Sequence, residues 1–454
     1  MTSLTTYINY KNHLPADIDG LPTRDFSIIQ DGTAKTFSQE LRASLKLDRW
    51  AVVVGGNYEH DRVSDYDPLD ITDSAVSYAF QDFYGTRWNT AAYLSNQRFN
   101  TYAVFGNVEF KVTPALTVQG GVRYTQSENS FVGCTTDTGD GNGAAAYTPL
   151  INGIRATAGL SPITLQPGQC MTIDQTTLNP GLVRTNLNQD NVSWRAGLQY
   201  KLDRSVLLYA NVSKGYKAGG YQQLSATSSS ALDPAVQESV LAYEAGVKAG
   251  LWNNRLQLNA AGFYYDYKDK QVTGTKIDPA VGPESVLVNI PKSRVYGAEV
   301  QVTIAPFRGL TLNGAGSYIR SKITGDYFGV NSLGNNQNFR GTEIPYVPHW
   351  QLNGQARYEW SLTNDLNMFG SVSGQYQSRS NASLGGVPGF EIKAYALADL
   401  SAGVETPGGK WRAYIWGRNV TNTNYWVSVQ RDLSSRTRYM GRPASYGATL
   451  EFHY

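Results

Sequence analysis

The 454-residue chain has little of what most catalytic and metal sites are built from. It holds two cysteines and four histidines. His13, His60, His349 and His453 stand far apart, and none has a metal-binding partner at short spacing. No histidine-built zinc site is indicated. No GxxxxGK[ST] loop is present to cradle a phosphate, and no GxSxG turn to present a nucleophile. The residues point to no enzyme class. Charge is scarce too: 17% of residues are Asp, Glu, Lys or Arg, against about 25% in average soluble domains. No apolar excess replaces it. Mean hydropathy is −0.36, and there is no run of about 18 uncharged, mostly apolar residues. A bundle of membrane-spanning helices is therefore excluded. Net charge +2 and a pI near 8.2 give no nucleic-acid or acidic-lipid signature. Residues 1–20 have neither the basic nor the apolar region of a secretory signal, and read as a strand and a polar loop.

What is abundant is 45 glycines, 30 tyrosines and 9 tryptophans, and their arrangement alternates. Tyr102, Val104, Gly106, Val108, Phe110 and Val112 interleave with Asn107, Glu109 and Lys111. Trp350, Leu352, Gly354, Ala356, Tyr358 and Trp360 interleave with Gln351, Asn353, Gln355, Arg357 and Glu359. Period two over eight or more residues means strands with one apolar and one polar face. The pattern predicts about sixteen strands, at roughly 2–9, 35–46, 49–60, 97–112, 115–129, 190–202, 205–216, 238–250, 254–268, 293–304, 309–322, 349–360, 365–378, 392–405, 410–419 and 443–454.

Tight turns and long connections then alternate strictly. The long ones are about 10–34, 61–96, 130–189, 217–237, 269–292, 323–348, 379–391 and 420–442. A soluble sandwich or propeller has no reason to keep that asymmetry. A transmembrane barrel does, with short periplasmic turns and long extracellular loops. Gln, Asn, Arg and Glu on the second face suit a wet or plugged interior and could not fill a dry core. Trp50, Trp252, Trp360 and Trp411 lie beside tight turns, and Trp88, Trp350 and Trp426 near long loops, as two interfacial belts would require. Tyr446, Leu450, Phe452 and Tyr454 alternate to the last residue. That strand reads as the closing strand recognised by the barrel-assembly machinery, with the C-terminus periplasmic.

At this point the residues resemble a family. SQELR (38–42), LLYANVSKGYKAGGYQ (207–222), YEAGVKAGLWNNRLQLNAAGFYYDYKDKQV (243–272), SRVYGAEVQV (293–302), PYVPHWQLNGQARY (345–358), GRNVTNTNYW (417–426) and GRPASYGATLEFHY (441–454) are similar, in order and spacing, to the C-terminal barrel of TonB-dependent outer-membrane receptors. The resemblance implies an all-β, antiparallel barrel of twenty-two strands, of which about sixteen are expected here. It also implies a signal peptide, a TonB-contacting box and a plug, for which these 454 residues hold no counterpart. The expectation is a chain that enters the family pattern part-way round the barrel: a fragment, a truncated gene, or a gene model begun at an internal methionine.

The implied function is TonB-energised uptake of a scarce solute across the outer membrane of a Gram-negative bacterium. A ferric siderophore is the leading expectation. The alternatives are a passive porin of about sixteen strands, or a receptor fragment without function. Neither a cofactor nor catalytic residues are expected. Implied partners are outer-membrane lipid and lipopolysaccharide, the assembly machinery, an unidentified small ligand, and the TonB complex only through the plug region; nucleic acid is not among them. Such proteins fold in an oxidising compartment, so Cys134 and Cys170, in the longest loop, are expected to form a disulfide. Asp137, Asp140 and Asn142 follow in DTGDGNG, a flexible tip by default and a calcium loop by alternative. Candidate ligand contacts are Lys214, Tyr216, Lys217 and Tyr221 on one loop, and Arg431, Arg436 and Arg438, with Arg442, on the last. Tyr264, Tyr265, Tyr267, Lys268 and Lys270 form a third aromatic and cationic group.

Overall fold

A computed structural model describes every residue except 223–225, 279–281, 433, 434 and 454. Sixteen long strands make the wall. They are β1 (Thr2–Asp17), β2 (Ser27–Lys46), β3 (Trp50–Asp70), β4 (Thr90–Lys111), β5 (Leu116–Thr136), β6 (Val183–Lys201), β7 (Val206–Lys217) and β8 (Glu238–Leu251). The wall continues with β9 (Leu256–Asp278), β10 (Gly282–Ile304), β11 (Leu310–Ile323), β12 (Trp350–Thr363), β13 (Leu366–Gln377), β14 (Tyr395–Glu405), β15 (Trp411–Arg418) and β16 (Ser445–Phe452). Each pairs antiparallel with the next in sequence. Among the described residues, the remaining edges of β1 and β16 pair with no strand.

Cross-strand contacts give the curvature. Arg123 on β5 donates to Asn57 Oδ1 on β3 at 2.7 Å, skipping β4. Arg195 on β6 reaches Asn107 on β4 at 2.8 Å, skipping β5. Arg357 on β12 reaches Glu405 on β14 at 3.1 Å, skipping β13. These bonds across two strands recur on the polar face, in accord with a wall that curves toward it and makes that face the concave one. The convex face carries Leu41, Val54, Val104, Val122, Leu198, Val300, Leu352 and Leu400, all exposed. Such an apolar outer face belongs in lipid.

Two aromatic rows border that face. Trp50 stacks near Phe110, with ring centroids 4.2 Å apart, at the tight-turn end. Tyr58 meets Tyr102 at 5.0 Å toward the loop end. On β12 both rows appear, as exposed Trp350 and Trp360. Ten residues at about 3.3 Å each, tilted about 45°, rise about 23 Å. This matches the apolar band of about 25 Å expected of a membrane barrel. The loop-end row is mostly tyrosine, and two tryptophans expected in it lie elsewhere. Trp88 is 1% exposed inside a loop core, and Trp426 packs in a loop hairpin.

The strands run further into the loops than alternation indicates. β3 continues through 61–70 and β1 through 10–17, and the expected loop 269–292 is almost wholly the β9–β10 hairpin, paired out to Gly282 and Asp278. Beyond the lipid both faces of a ladder meet water or other loops. No apolar period is then required, although the backbone ladder persists. Asp269, at positive φ of 52°, interrupts β9: the pairing with β10 skips Asp269 and Pro291 and resumes in the same register.

Candidate functional site

The loops are folded, and they form two packed lobes beyond the wall. The first holds α1 (Ala75–Tyr84) and α2 (Asn142–Thr157). The Ser74 hydroxyl accepts from the Ser77 N–H and caps α1. Trp88, Tyr147 and Phe80 share one aromatic cluster, with centroids 4.8 to 5.4 Å apart. Ile151, Met171 and Ile173 close the same core. Cys134, at the loop end of β5, is bonded to Cys170, with Cα atoms 5.8 Å apart.

DTGDGNG is neither a loose tip nor an ion cage. Asp137 is buried, and its Oδ1 accepts from the backbone N–H groups of Gly139 (2.7 Å), Gly168 (2.8 Å) and Gly141 (3.2 Å). Its Oδ2 accepts from Ala144 N–H at 3.1 Å. Gly139 and Gly141 supply this convergence with φ of 96° and 79°. Burial pulls the Asp137 carboxyl upward, but those four N–H groups together hold it below the usual carboxylate range. Asp140 accepts from Thr90 and Asn142, and Asn142 Oδ1 from Asn89 N–H, so their oxygens are engaged too. Among the described residues no group of three His, Cys, Asp or Glu is placed to hold a metal.

The second lobe contains the arginines of the last loop. Strands Trp426–Asp432 and Ser435–Met440 pair as a hairpin, with Arg431 opposite Arg436 and Val429 opposite Arg438. The hairpin is held on several sides. Arg431 donates to the Ser332 carbonyl at 2.9 Å, and the Tyr346 hydroxyl lies 2.9 Å from Ser428 Oγ. Arg436 covers the Phe390 ring at 4.9 Å and Arg438 the Trp426 ring at 4.4 Å. The Tyr439 hydroxyl donates to the Ile18 carbonyl at 3.2 Å, across 421 residues. The hairpin thus bridges the loops after β11 and β13 to the loop after β1. Arg436 and Arg438 remain exposed, while Arg442 lies beyond the hairpin.

The other candidates separate by register. Lys214 lies opposite Trp194 and Leu241, and shares the convex face with Leu208 and Val212. Lys214 and Tyr216 therefore point outward, not into the lumen. Lys217 lies at the loop end of β7, opposite Glu238. Tyr221 is buried, stacked on Phe131 at 4.7 Å and bonded to Thr185 at 3.2 Å; it packs a loop and is not open to a ligand. Tyr264 and Lys268 are convex, whereas Tyr265 and Tyr267 are concave. Lys270 sits over the Tyr267 ring at 4.0 Å and reaches Glu238 at 3.5 Å. Tyr446, Leu450 and Phe452 are exposed on the convex face of β16, and Tyr454 lies outside the described residues.

One concave cluster escapes motif reading, although alternation could have found it. Arg357 lies within 3.1 Å of Glu405 and over the Phe369 ring at 3.9 Å. Arg412, 4.7 Å from the centre of the same ring, meets Glu405 and Glu451. Each of these charged residues falls on the polar register of its strand.

Comparison with known proteins agrees with this geometry. The family model "TonB dependent receptor-like, beta-barrel" matches residues 2–420. The metal-pseudopaline receptor CntO of Pseudomonas aeruginosa is 28% identical over 51% of this chain and 30% of its own length. The rhizobactin receptor of Rhizobium meliloti is 24% identical over 77% of this chain and 43% of its own. The chain thus spans less than half the length of these curated relatives. Among solved structures, the ferric yersiniabactin uptake receptor FyuA from Yersinia pestis superposes with a TM-score of 0.72 at 16% identity, covering 99% of this chain and 58% of that one. The ferric citrate transporter FecA gives 0.62 at 13% identity, with coverage of 99% and 58%. The convex apolar face, the two aromatic rows, the short-turn and long-loop ends and the match over most of the length lead to one assignment: the chain belongs to the β-barrel family of TonB-dependent receptors, outer-membrane proteins of Gram-negative bacteria.

Proposed function

We propose that this chain is the barrel portion of a receptor for TonB-energised uptake of a scarce solute, and that the solute is a ferric siderophore. The observation that carries the ligand class is the arginine hairpin. Arg431, Arg436 and Arg438, interleaved with Trp426, Tyr439 and Phe390, offer cations and ring faces together. Anionic chelates with aromatic or carboxylate donors bind such surfaces through charge-assisted hydrogen bonds and ring contacts. Several relatives are named as siderophore or metal receptors, which supports the same class. The wall is one continuous part of a larger barrel of twenty-two strands. The unpaired edges of β1 and β16 and the 58% coverage of the solved receptors support this. Contact with the TonB complex runs through a plug region. Outer-membrane lipid, lipopolysaccharide and the barrel-assembly machinery are further partners, the last through β16. The tight turns and the C-terminus face the periplasm, and the long loops face outward.

The test is tryptophan-fluorescence titration of the detergent-folded chain with a panel of ferric hydroxamate, catecholate and carboxylate complexes. At least one is expected to bind, and R436Q/R438Q to weaken it about tenfold. No binding by any complex, together with a stable open conductance in planar bilayers, would favour a passive pore instead.

A further inference from the structure

Cations on the concave wall are treated in two ways. On one side Arg357 and Arg412 share the carboxylate of Glu405. On the other, across β5 to β8, the cations have neutral partners or none. Arg123 is bonded to Asn57 and Thr125, and Arg195 to Asn107. Further along β6 toward the tight turns, Lys201 lies opposite Leu207, and Leu207 lies opposite Lys248. Leu208 and Val212 are convex, so Leu207 and the two lysines beside it belong to the concave register. Arg204 stands in the turn between β6 and β7. Lys201, Arg204 and Lys248 are all exposed. Among the described residues they form no ion pair.

Carboxylates in the neighbourhood do not answer this charge. Asp203 Oδ1 accepts from the Ser205 N–H (2.6 Å), the Ser205 hydroxyl (2.7 Å) and the Val206 N–H (2.9 Å), and so closes its own turn. Glu244 on β8 faces the Tyr209 hydroxyl. Glu299 on β10 borders an adjoining hollow with Lys248 and does not pair with it. The three cations line one open cavity of about 820 Å³ at the tight-turn end, together with Asn254, Gln257 and Asn259. Among the described residues those three amide side chains form no hydrogen bond either. Cavities of roughly 300–1,000 Å³ are the size of small-molecule sites. Like charges converging on one hollow repel. An anion with several carboxylates set between them turns repulsion into attraction, and the free amides supply further donors.

We propose that this cavity is a second anion site, which takes a small solute bearing two or three carboxylates as it leaves the lumen. Arg123 and Arg195 stand on the same wall nearer the loops, also without an acid partner. Unanswered positive charge therefore runs down one side of the lumen and ends in the cavity. The inference rests on the uptake reading and its orientation, and adds a place for the anion at the inner mouth.

The experiment is calorimetric titration of the 454-residue chain folded in an uncharged detergent. It is made in the R436Q/R438Q background, so that two cations of the outer hairpin do not contribute. The probes are citrate, its trimethyl ester and a blocked triglutamate peptide of the same charge as citrate. Citrate is expected to bind at least tenfold more tightly than the ester and more tightly than the peptide. Adding K201Q/K248Q is expected to cost at least tenfold in citrate affinity. Because the two lysines repel, that change should keep the heat-modifiable folded band at an equal or higher melting temperature. K410Q, which removes an exposed cation from the β14–β15 turn outside the cavity, should leave the affinity within twofold. Equal binding of citrate and ester, a K201Q/K248Q affinity within twofold of the background, or an equal loss in K410Q would overturn the proposal. Equal or tighter binding of the triglutamate would overturn it in favour of a polypeptide docked in the mouth. Citrate binding at the cavity without any ferric complex binding at the outer hairpin would contradict only the uptake reading. Failure of the parent chain to give a folded band would contradict the membrane reading beneath both.

Discussion

At the scale of single residues, a buried carboxylate and a buried phenol organise the first loop lobe. Asp137 gathers four backbone N–H groups, and charge-assisted bonds of this kind are worth about 1.5–3 kcal/mol each at most. Its folded carboxyl sits below the ordinary value near 3.9. It therefore contributes stability above the unfolded value, and loses that contribution as pH falls from there through the folded value. The opening free energy of residues 137–170, from hydrogen exchange corrected for the intrinsic pH dependence of amide exchange, should be flat from pH 7 to about 4.5 and fall below about pH 4. In D137N the loop should exchange faster at pH 7, by about 2 kcal/mol of local opening energy, with the acid step gone. Tyr221 makes a similar case. As a packing residue stacked on Phe131, its change to Phe should cost under about 1 kcal/mol, and its change to Ala about 3 kcal/mol. Ligand affinity measured by fluorescence should stay unchanged in Y221F.

At the scale of elements, legibility follows the solvent. Inside the lipid one face of every strand must be apolar and the other meets water, so period two is enforced and β5, β8 and β12 read clearly in sequence. Past the interface that demand ends. The outer parts of β1, β3 and β9, and the hairpin of Trp426–Met440, were therefore hidden in apparent loops. Trp88 misled for a related reason: a tryptophan near a loop fits an interfacial belt and a loop core equally well until its neighbours Phe80 and Tyr147 are known. The arginines of the last loop were legible as a group, but their mutual register was not, because it depends on the hairpin turn. The disulfide is the element-scale constraint on the first lobe. Closing a loop across 36 residues restricts the unfolded chain by about 3–4 kcal/mol. In C134S/C170S the 137–182 segment should become protease-sensitive while the strand ladder, followed by far-ultraviolet circular dichroism, is retained. Simultaneous loss of both would mean that the lobe and the wall fold as one unit.

At the scale of the whole molecule, alternation yields two faces but not the sign of curvature. That sign comes from bonds that skip a strand, such as Arg123 to Asn57 and Arg357 to Glu405, which no sequence pattern announces. With the polar face concave, a sheet poor in charge and without any long apolar run still has a membrane surface, spread over every second residue. The same curvature leaves the charge cluster around Phe369 inside. There E405Q would leave Arg357 and Arg412 sharing a neutral partner, and thermal melting should register a loss of about 2 kcal/mol. The membrane assignment depends on which face meets lipid. The most direct measurement is nitroxide scanning of 118–124 on β5 in phospholipid vesicles, comparing access to oxygen with access to a water-soluble nickel complex. Oxygen access should peak at 118, 120, 122 and 124, and nickel access at 119, 121 and 123. A flat profile, or peaks of the opposite parity, would contradict the convex face being the lipid face.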